Sequence, residues 1–180
     1  AGTEIDQWTT DGTTHRMDAI LTAGAEYTLH EVSAPDGYCI AADQKFTVNA
    51  DGSLTSVKLT NLSTKVQISK TTITGDTELE GAKLEVRDLS GNALDSWTSG
   101  KEAHMITAKL TAGQTYVLHE TAAPNGYVVS NDIEFTVNAD GSITQVVMKD
   151  DTTKVEISKK AENGLPLSPG RTVCREPGLR

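Results

Sequence analysis

The sequence predicts an all-β chain of tandem β-sandwich repeats whose first copy is truncated. Short runs alternate apolar and polar side chains between Gly, Asn and Asp turn signals, and no segment sustains a 3.6-residue period. Aromatic residues make up 4% of the chain, so any core must be built mainly from Val, Ile and Leu, with Thr and Val suited to a pleated surface. The third observation is self-similarity. Tyr27 to Tyr38 reads YTLHEVSAPDGY and Tyr116 to Tyr127 reads YVLHETAAPNGY, a constant offset of 89 residues (120 − 31 for the glutamates).

The offset runs well beyond that stretch. Ile5-Asp6-Gln7-Trp8-Thr9 answers Leu94-Asp95-Ser96-Trp97-Thr98, and His15 answers His104. Phe46 to Ser53 answers Phe135 to Ser142, and Thr64-Lys65-Val66-Gln67-Ile68-Ser69-Lys70 answers Thr153-Lys154-Val155-Glu156-Ile157-Ser158-Lys159. Three units follow: a repeat over residues 1–64 that lacks its opening strands, a complete repeat over 65–151, and over 152–180 the start of a third. Lys160 to Leu167 still reads as a repeat start, and Ser168 to Arg180 reads as an irregular, non-native tail.

Within the complete repeat the alternation predicts strands at Val66–Thr71, Lys83–Asp88, Leu94–Thr98, His104–Leu110, Thr115–Thr121, Ile133–Asn138 and Ile143–Asp150. Asn138-Ala139-Asp140-Gly141, between two apolar runs, predicts a hairpin joining the last two.

A net charge of −9 and a pI near 4.8 argue against a nucleic-acid or anionic-membrane surface, which needs clustered Lys and Arg. No apolar run is long enough to cross a membrane, and no signal segment stands at Ala1. Of the two cysteines, Cys39 stands where the other copy has Val128 and reads as a small buried hydrophobe, while Cys174 lies in the tail. No disulfide, metal or cofactor is expected.

Period-2 alternation also turns polar groups inward. Lys70 shares a face with Val66 and Ile68, Glu120 with Tyr116 and Leu118, and Asp150 with Val146 and Met148. In the first copy Glu31 lines up with Tyr27 and Leu29, and Asn61 with Val57 and Leu59; in the third opening Lys159 lines up with Val155 and Ile157. Asp151 answers Leu62, so Asp150, which answers Asn61, holds the acceptor position.

Two readings of this set stand side by side. One is a buried ion triad, which needs good geometry to offset desolvation; Asn61 in place of Asp150 counts mildly against it. The other is chemical. Burial disfavours charged forms, and a neutral amine beside a carboxyl or amide carbon can attack it. A protonated glutamate can bond the carbonyl oxygen and carry protons. The product is a side-chain amide, with water lost from Asp or ammonia from Asn.

Ile68-Ser69-Lys70, Gly81-Ala82-Lys83-Leu84, the Glu-x-x-Ala-Pro-x-Gly-Tyr box from Glu120 to Tyr127, and Val147-Met148-Lys149-Asp150 together resemble the Cna B-type (SpaA-like, prealbumin-like) domain of Gram-positive surface proteins and pilins. The resemblance covers residues 65–151 fully, 1–62 as a truncated domain and 154–167 as a start. It implies an immunoglobulin-like β-sandwich with a self-formed isopeptide bond: Lys70 as nucleophile, Asp150 as acceptor, Glu120 as catalytic acid. The first copy has Glu31 and Asn61 but no lysine strand; it is expected to be frayed, with Lys159, in this chain or another, as a conceivable donor. No Tyr-Pro-Lys pilin motif is present.

The function so implied is a structural stalk repeat of an extracellular, cell-wall attached protein. Its partners would be neighbouring repeats, with host matrix or glycan met through other domains. Two other classes remain open. Trp8 and Trp97 could form a stacking platform for carbohydrate or host matrix, or each could cap its sandwich. Glu120 and Asp150 could serve as a hydrolase carboxylate pair, helped by His104 and His119. His119 alternates onto the face opposite Glu120, and a cross-link consumes its own residues, so turnover is not expected.

Overall fold

The computed structural model describes residues 2–163, 170 and 172–175, and among these no helix occurs. The first copy contributes β1 (Glu26–Leu29) and β2 (Gln44–Thr47), an antiparallel pair. The complete repeat contributes β3 (Lys65–Thr72), β4 (Lys83–Arg87), β5 (Ala93–Thr98), β6 (His104–Thr107), β7 (Thr115–Ala122), β8 (Ile133–Thr136) and β9 (Ile143–Asp150). These seven form two sheets, ordered β6-β3-β9 and β5-β4-β7-β8.

The inward residues of both sheets meet in one core. Val66, Ile68, Val146 and Met148 come from the three-stranded sheet, and Leu84, Val86 and Leu118 from the four-stranded one. Each such side chain, fully buried, contributes roughly 1.5–3 kcal/mol. Alternation alone therefore selects the sandwich, because each sheet has a single apolar face to cover.

Strand order departs from the sequence reading in one respect that matters for the site. The Asn138-Ala139-Asp140-Gly141 turn does not close a hairpin. β8 pairs with β7, whereas β9 crosses to the other sheet and runs parallel to β3. Parallel pairing needs a long crossover and leaves no hairpin signature, so the turn chemistry could not reveal it. The turn itself is locked by side chains: the Asn138 N–H donates to Thr144 Oγ1 at 2.7 Å, and Asn138 Nδ2 donates to Ser142 Oγ at 2.9 Å. β6 also ends before Leu110, because Ala108 takes φ +53° and breaks the extended backbone.

Strands are missing where their partners are. Residues 54–61, which answer β9, form no strand, and no described residue of the first copy stands in for β3. Residues 154–159 carry the β3 pattern, yet they are not a strand and Val155 and Ile157 are exposed. A strand exists through its ladder, and neither segment has one. Cys39 is buried, Cys174 is exposed, and both thiols are free. Apart from Gly170 and residues 172–175, the tail from Ser168 lies outside the described residues, as does the Gly164 to Leu167 part of the third opening.

Candidate functional site: a buried lysine between two carboxyls

The first and last strands of the complete repeat are neighbours. In the parallel β3–β9 register Lys70 lies opposite Met148 and Thr72 opposite Asp150. Asp150 is therefore the diagonal neighbour of Lys70 on the same face, a distance a lysine stem can span. Glu120 arrives from the opposing sheet on β7, where the ladder with β4 shifts between Lys83 and Leu84. Bulges of this kind re-aim a side chain.

All three side chains are sealed from solvent, with Lys70 and Glu120 1% exposed and Asp150 0%. Lys70 Nζ bonds Asp150 Oδ1 and lies 3.0 Å from Glu120 Oε1. The Glu120 approach is an ion-pair distance without hydrogen-bond alignment: Glu120 Oε1 and Asp150 Oδ2 are the buried side-chain oxygens that accept no hydrogen bond among the described residues. An unbonded buried oxygen is costly unless it carries a proton or takes part in chemistry.

Ser130 completes the arrangement, and sequence reasoning missed it. Its N–H donates to Glu120 Oε2 at 2.7 Å, while its hydroxyl lies 2.7 Å from Asp150 Oδ1 and 2.5 Å from the Lys149 carbonyl, so one proton serves either acceptor. The clue available was spacing rather than residue type. In the first copy the N–H of Ala41, again ten residues after the glutamate, donates to Glu31 Oε2 at 2.6 Å. The main chain repeats; the hydroxyl does not.

The first-copy residues also meet. Asn61 Nδ2 donates to Glu31 Oε2 at 2.6 Å and to the Cys39 carbonyl at 3.0 Å. Both side chains are only half-buried, and no lysine stands where Lys70 stands in the complete repeat. Lys159 is exposed and off any strand, so the expected strand placement fails, and no hydrogen bond or ion pair joins it to Glu31 or Asn61 among the described residues.

The other candidates fall elsewhere. Trp97 packs against the core and stacks on His104 with ring centroids 4.1 Å apart, an arrangement repeated by Trp8 and His15 at the same separation. One ring face is thus covered, which suits the capping role. His119 pairs with Asp132 at 2.6 Å, away from Glu120. No group of metal-ligating side chains occurs among the described residues.

Asp95 ties the Trp97 corner together. Partial burial would raise its carboxyl pKa, but hydrogen bonds from Lys109 and His104, both 2.8 Å away, outweigh it and hold the group below its ordinary value. A lowered native pKa supplies stability above the ordinary carboxylate range that is lost as pH falls through the lowered value. Asp95→Asn should accordingly weaken the repeat at neutral pH and flatten its acid-unfolding profile, as read by circular dichroism against pH. An unchanged profile would remove this corner from the acid response.

The family model for the SpaA prealbumin-like fold domain matches residues 1–63 and again 64–152. Among solved structures, the Bacillus anthracis TIE protein is similar at 25% identity and a TM-score of 0.50, over 71% of this chain and 25% of that one. The shaft pilin SpaA from Lactobacillus rhamnosus GG is similar at 18% identity and a TM-score of 0.43, over 73% and 66%. The group B streptococcus pilus 2b backbone protein is similar at 17% identity and a TM-score of 0.42, over 68% and 52%. The chain thus spans a quarter of the TIE protein and less than two thirds of either pilin. No curated protein matches it. With both matches of the family model spanning residues 1–152 and a two-sheet repeat beneath them, the chain belongs to the SpaA prealbumin-like fold domain family.

Proposed function

We propose that this chain is a stalk segment of a cell-wall surface protein or pilus-like fibre, and that its complete repeat closes an intramolecular isopeptide bond between Lys70 and Asp150. The observation that carries the reading is the sealed contact of Lys70 Nζ with the Asp150 carboxyl, with Glu120 beside both. It joins the first strand of the repeat to the last.

The chemistry balances without a cofactor. In the proposed step one proton first passes from Lys70 Nζ to the Asp150 carboxyl it touches, giving an amine and an acid. Nζ then attacks Asp150 Cγ. Glu120 takes a proton from the attacking nitrogen and returns one to the departing oxygen, so the products are an amide and one water and Glu120 ends as it began. The two unbonded oxygens, Glu120 Oε1 and Asp150 Oδ2, fit the proton carrier and the leaving oxygen. Lys70, Glu120 and Asp150 are sealed from solvent, which supports single-use chemistry rather than turnover.

Mechanics agrees with the placement. The chain enters at Lys65 and leaves at Asp150, at opposite ends of a parallel two-strand ladder, so tension applied to the ends shears β3 against β9. A Lys70–Asp150 amide would carry that load past the intervening chain, its two ends being 80 positions apart. A stalk exposed outside a cell, with neighbouring repeats as its partners, is the setting in which such a tie is useful. A redox-independent tie also suits a chain with two cysteines.

Intact mass tests the bond. The chain should weigh one water less than its sequence, and Lys70→Ala or Glu120→Ala should each restore the full mass. Full mass in the unmutated chain would leave a buried ion triad and nothing more.

A further inference from the structure

We infer that the end of the repeat formed by Gly126, Val128 and Thr153 is a docking surface for the next copy of the same repeat, so that consecutive copies join rigidly without a linker. The inference rests on the stalk reading for the existence of a further copy, and on the first junction for its geometry.

That junction is stitched on both sides. On the upstream side, the Cys39 N–H donates to the Leu62 carbonyl at 2.8 Å and the Thr64 N–H to the Gly37 carbonyl at 2.9 Å. On the downstream side, the Ala108 N–H donates to the Thr64 carbonyl at 3.0 Å, and the buried Thr64 hydroxyl lies 2.7 Å from the Leu110 carbonyl. Gly37 sits so close to Ala108 that a Cβ there would stand 2.4 Å from its carbonyl oxygen. The Cys39 thiol points at the Asn138 carbonyl, 3.9 Å away.

The upstream half of this joint recurs 89 residues on. The Val128 N–H donates to the Asp151 carbonyl at 2.9 Å, and the Thr153 N–H to the Gly126 carbonyl at 2.9 Å. The Tyr127–Thr152 bridge answers the Tyr38–Ser63 bridge. Thr153 is therefore held as Thr64 is, yet nothing described covers it. Cys39 is 3% exposed and its counterpart Val128 is 50% exposed. Nothing lies within 4 Å of a Cβ on Gly126, where its counterpart Gly37 is in close contact. An open groove of about 350 Å³ lined by Val128, Val129, Ile73 and Asp151 adjoins this end.

The downstream half recurs as well. Ala19 holds φ +57° where Ala108 holds +53°, the two non-glycine residues with positive φ among those described. Such a backbone is unfavourable for an alanine, because its Cβ crowds the following carbonyl oxygen. At Ala108 it places the N–H on Thr64; at Ala19 the same shape stands with no upstream copy described against it. Each repeat thus carries one half of the joint at either end. The occupant that fits the Gly126 end is a further copy's Ala108 to Leu110 segment, offering the Ala108 N–H and the Leu110 carbonyl.

The test is a longer chain in which residues 1–153 run directly into residues 65–180, so that Lys65 follows Thr153 as it follows Thr64. Val128→Cys in the first complete copy mimics Cys39 there, and Cys174→Ser removes the exposed thiol. The introduced thiol should react with an aromatic disulfide reagent about tenfold or more slowly in the longer chain than in the 180-residue chain carrying the same substitutions. Equal rates would overturn the inference. Small-angle scattering of the longer chain should fit one rod length; the broad length distribution of hinged repeats would overturn it too. Two waters missing from the intact mass would show both cross-links formed, so failure of the joint and failure of the bond are read separately.

Discussion

Glu120→Gln should leave the chain at its full sequence mass and lower its thermal midpoint by roughly 15–40 °C, read by calorimetry. The substitution keeps the shape of the side chain and can still accept the Ser130 N–H, so packing changes little. What it removes is the proposed proton carrier. Without it Nζ remains in contact with Asp150 but the amide does not form. The stability at stake is the chain entropy of an 80-residue closed loop, about 4–5 kcal/mol in the cross-linked-chain picture. A shift of 4–8 °C per kcal/mol for a domain of this size gives the range quoted. A midpoint equal to that of the unmutated chain, with no mass difference between them, would show that no bond exists to lose.

Lys70→Met should be the more damaging change. It keeps most of the buried stem and deletes the amine, so the proposed amide cannot form, and Asp150 keeps a carboxyl that, like Glu120, meets no cation among the described residues. Two carboxyls then face each other at 0–1% exposure. Leaving a buried carboxylate uncompensated costs about 3–5 kcal/mol in addition to the missing tie. The combination is large against the 5–15 kcal/mol of a typical domain and should leave the repeat partly unfolded at 37 °C. Adding Glu120→Gln and Asp150→Asn to Lys70→Met removes the stranded charges and should recover much of the second loss but none of the first. If the triple variant were no more stable than the single one in denaturant titration, uncompensated charge would not be the cause.

The inward-facing set was legible in the residue order alone. Lys70, Glu120 and Asp150 each follow two apolar residues at period 2, and a strand with one buried face turns every second residue inward. The offset of 89 residues singled out Asp150 over Asp151, and the structure buries the first while the second is half-exposed and pairs with Lys154 at 2.6 Å. Strand positions were legible for the same reason, within about two residues except at β6. That exception was Ala108, whose left-handed backbone serves the Thr64 carbonyl and leaves no trace in residue type.

The sequence by itself determined which side chains face inward and which segments repeat. Alternation and self-similarity are local properties, written residue by residue. Only the tertiary structure decided which inward groups touch. Lys70 and Asp150 meet because β9 leaves the sheet of its predecessor and runs parallel to β3, and parallel pairing carries no signature in the residues between. The same limit explains residues 154–159, which share the pattern of β3 yet form no strand, since a strand's hydrogen bonds are completed by a partner it does not encode.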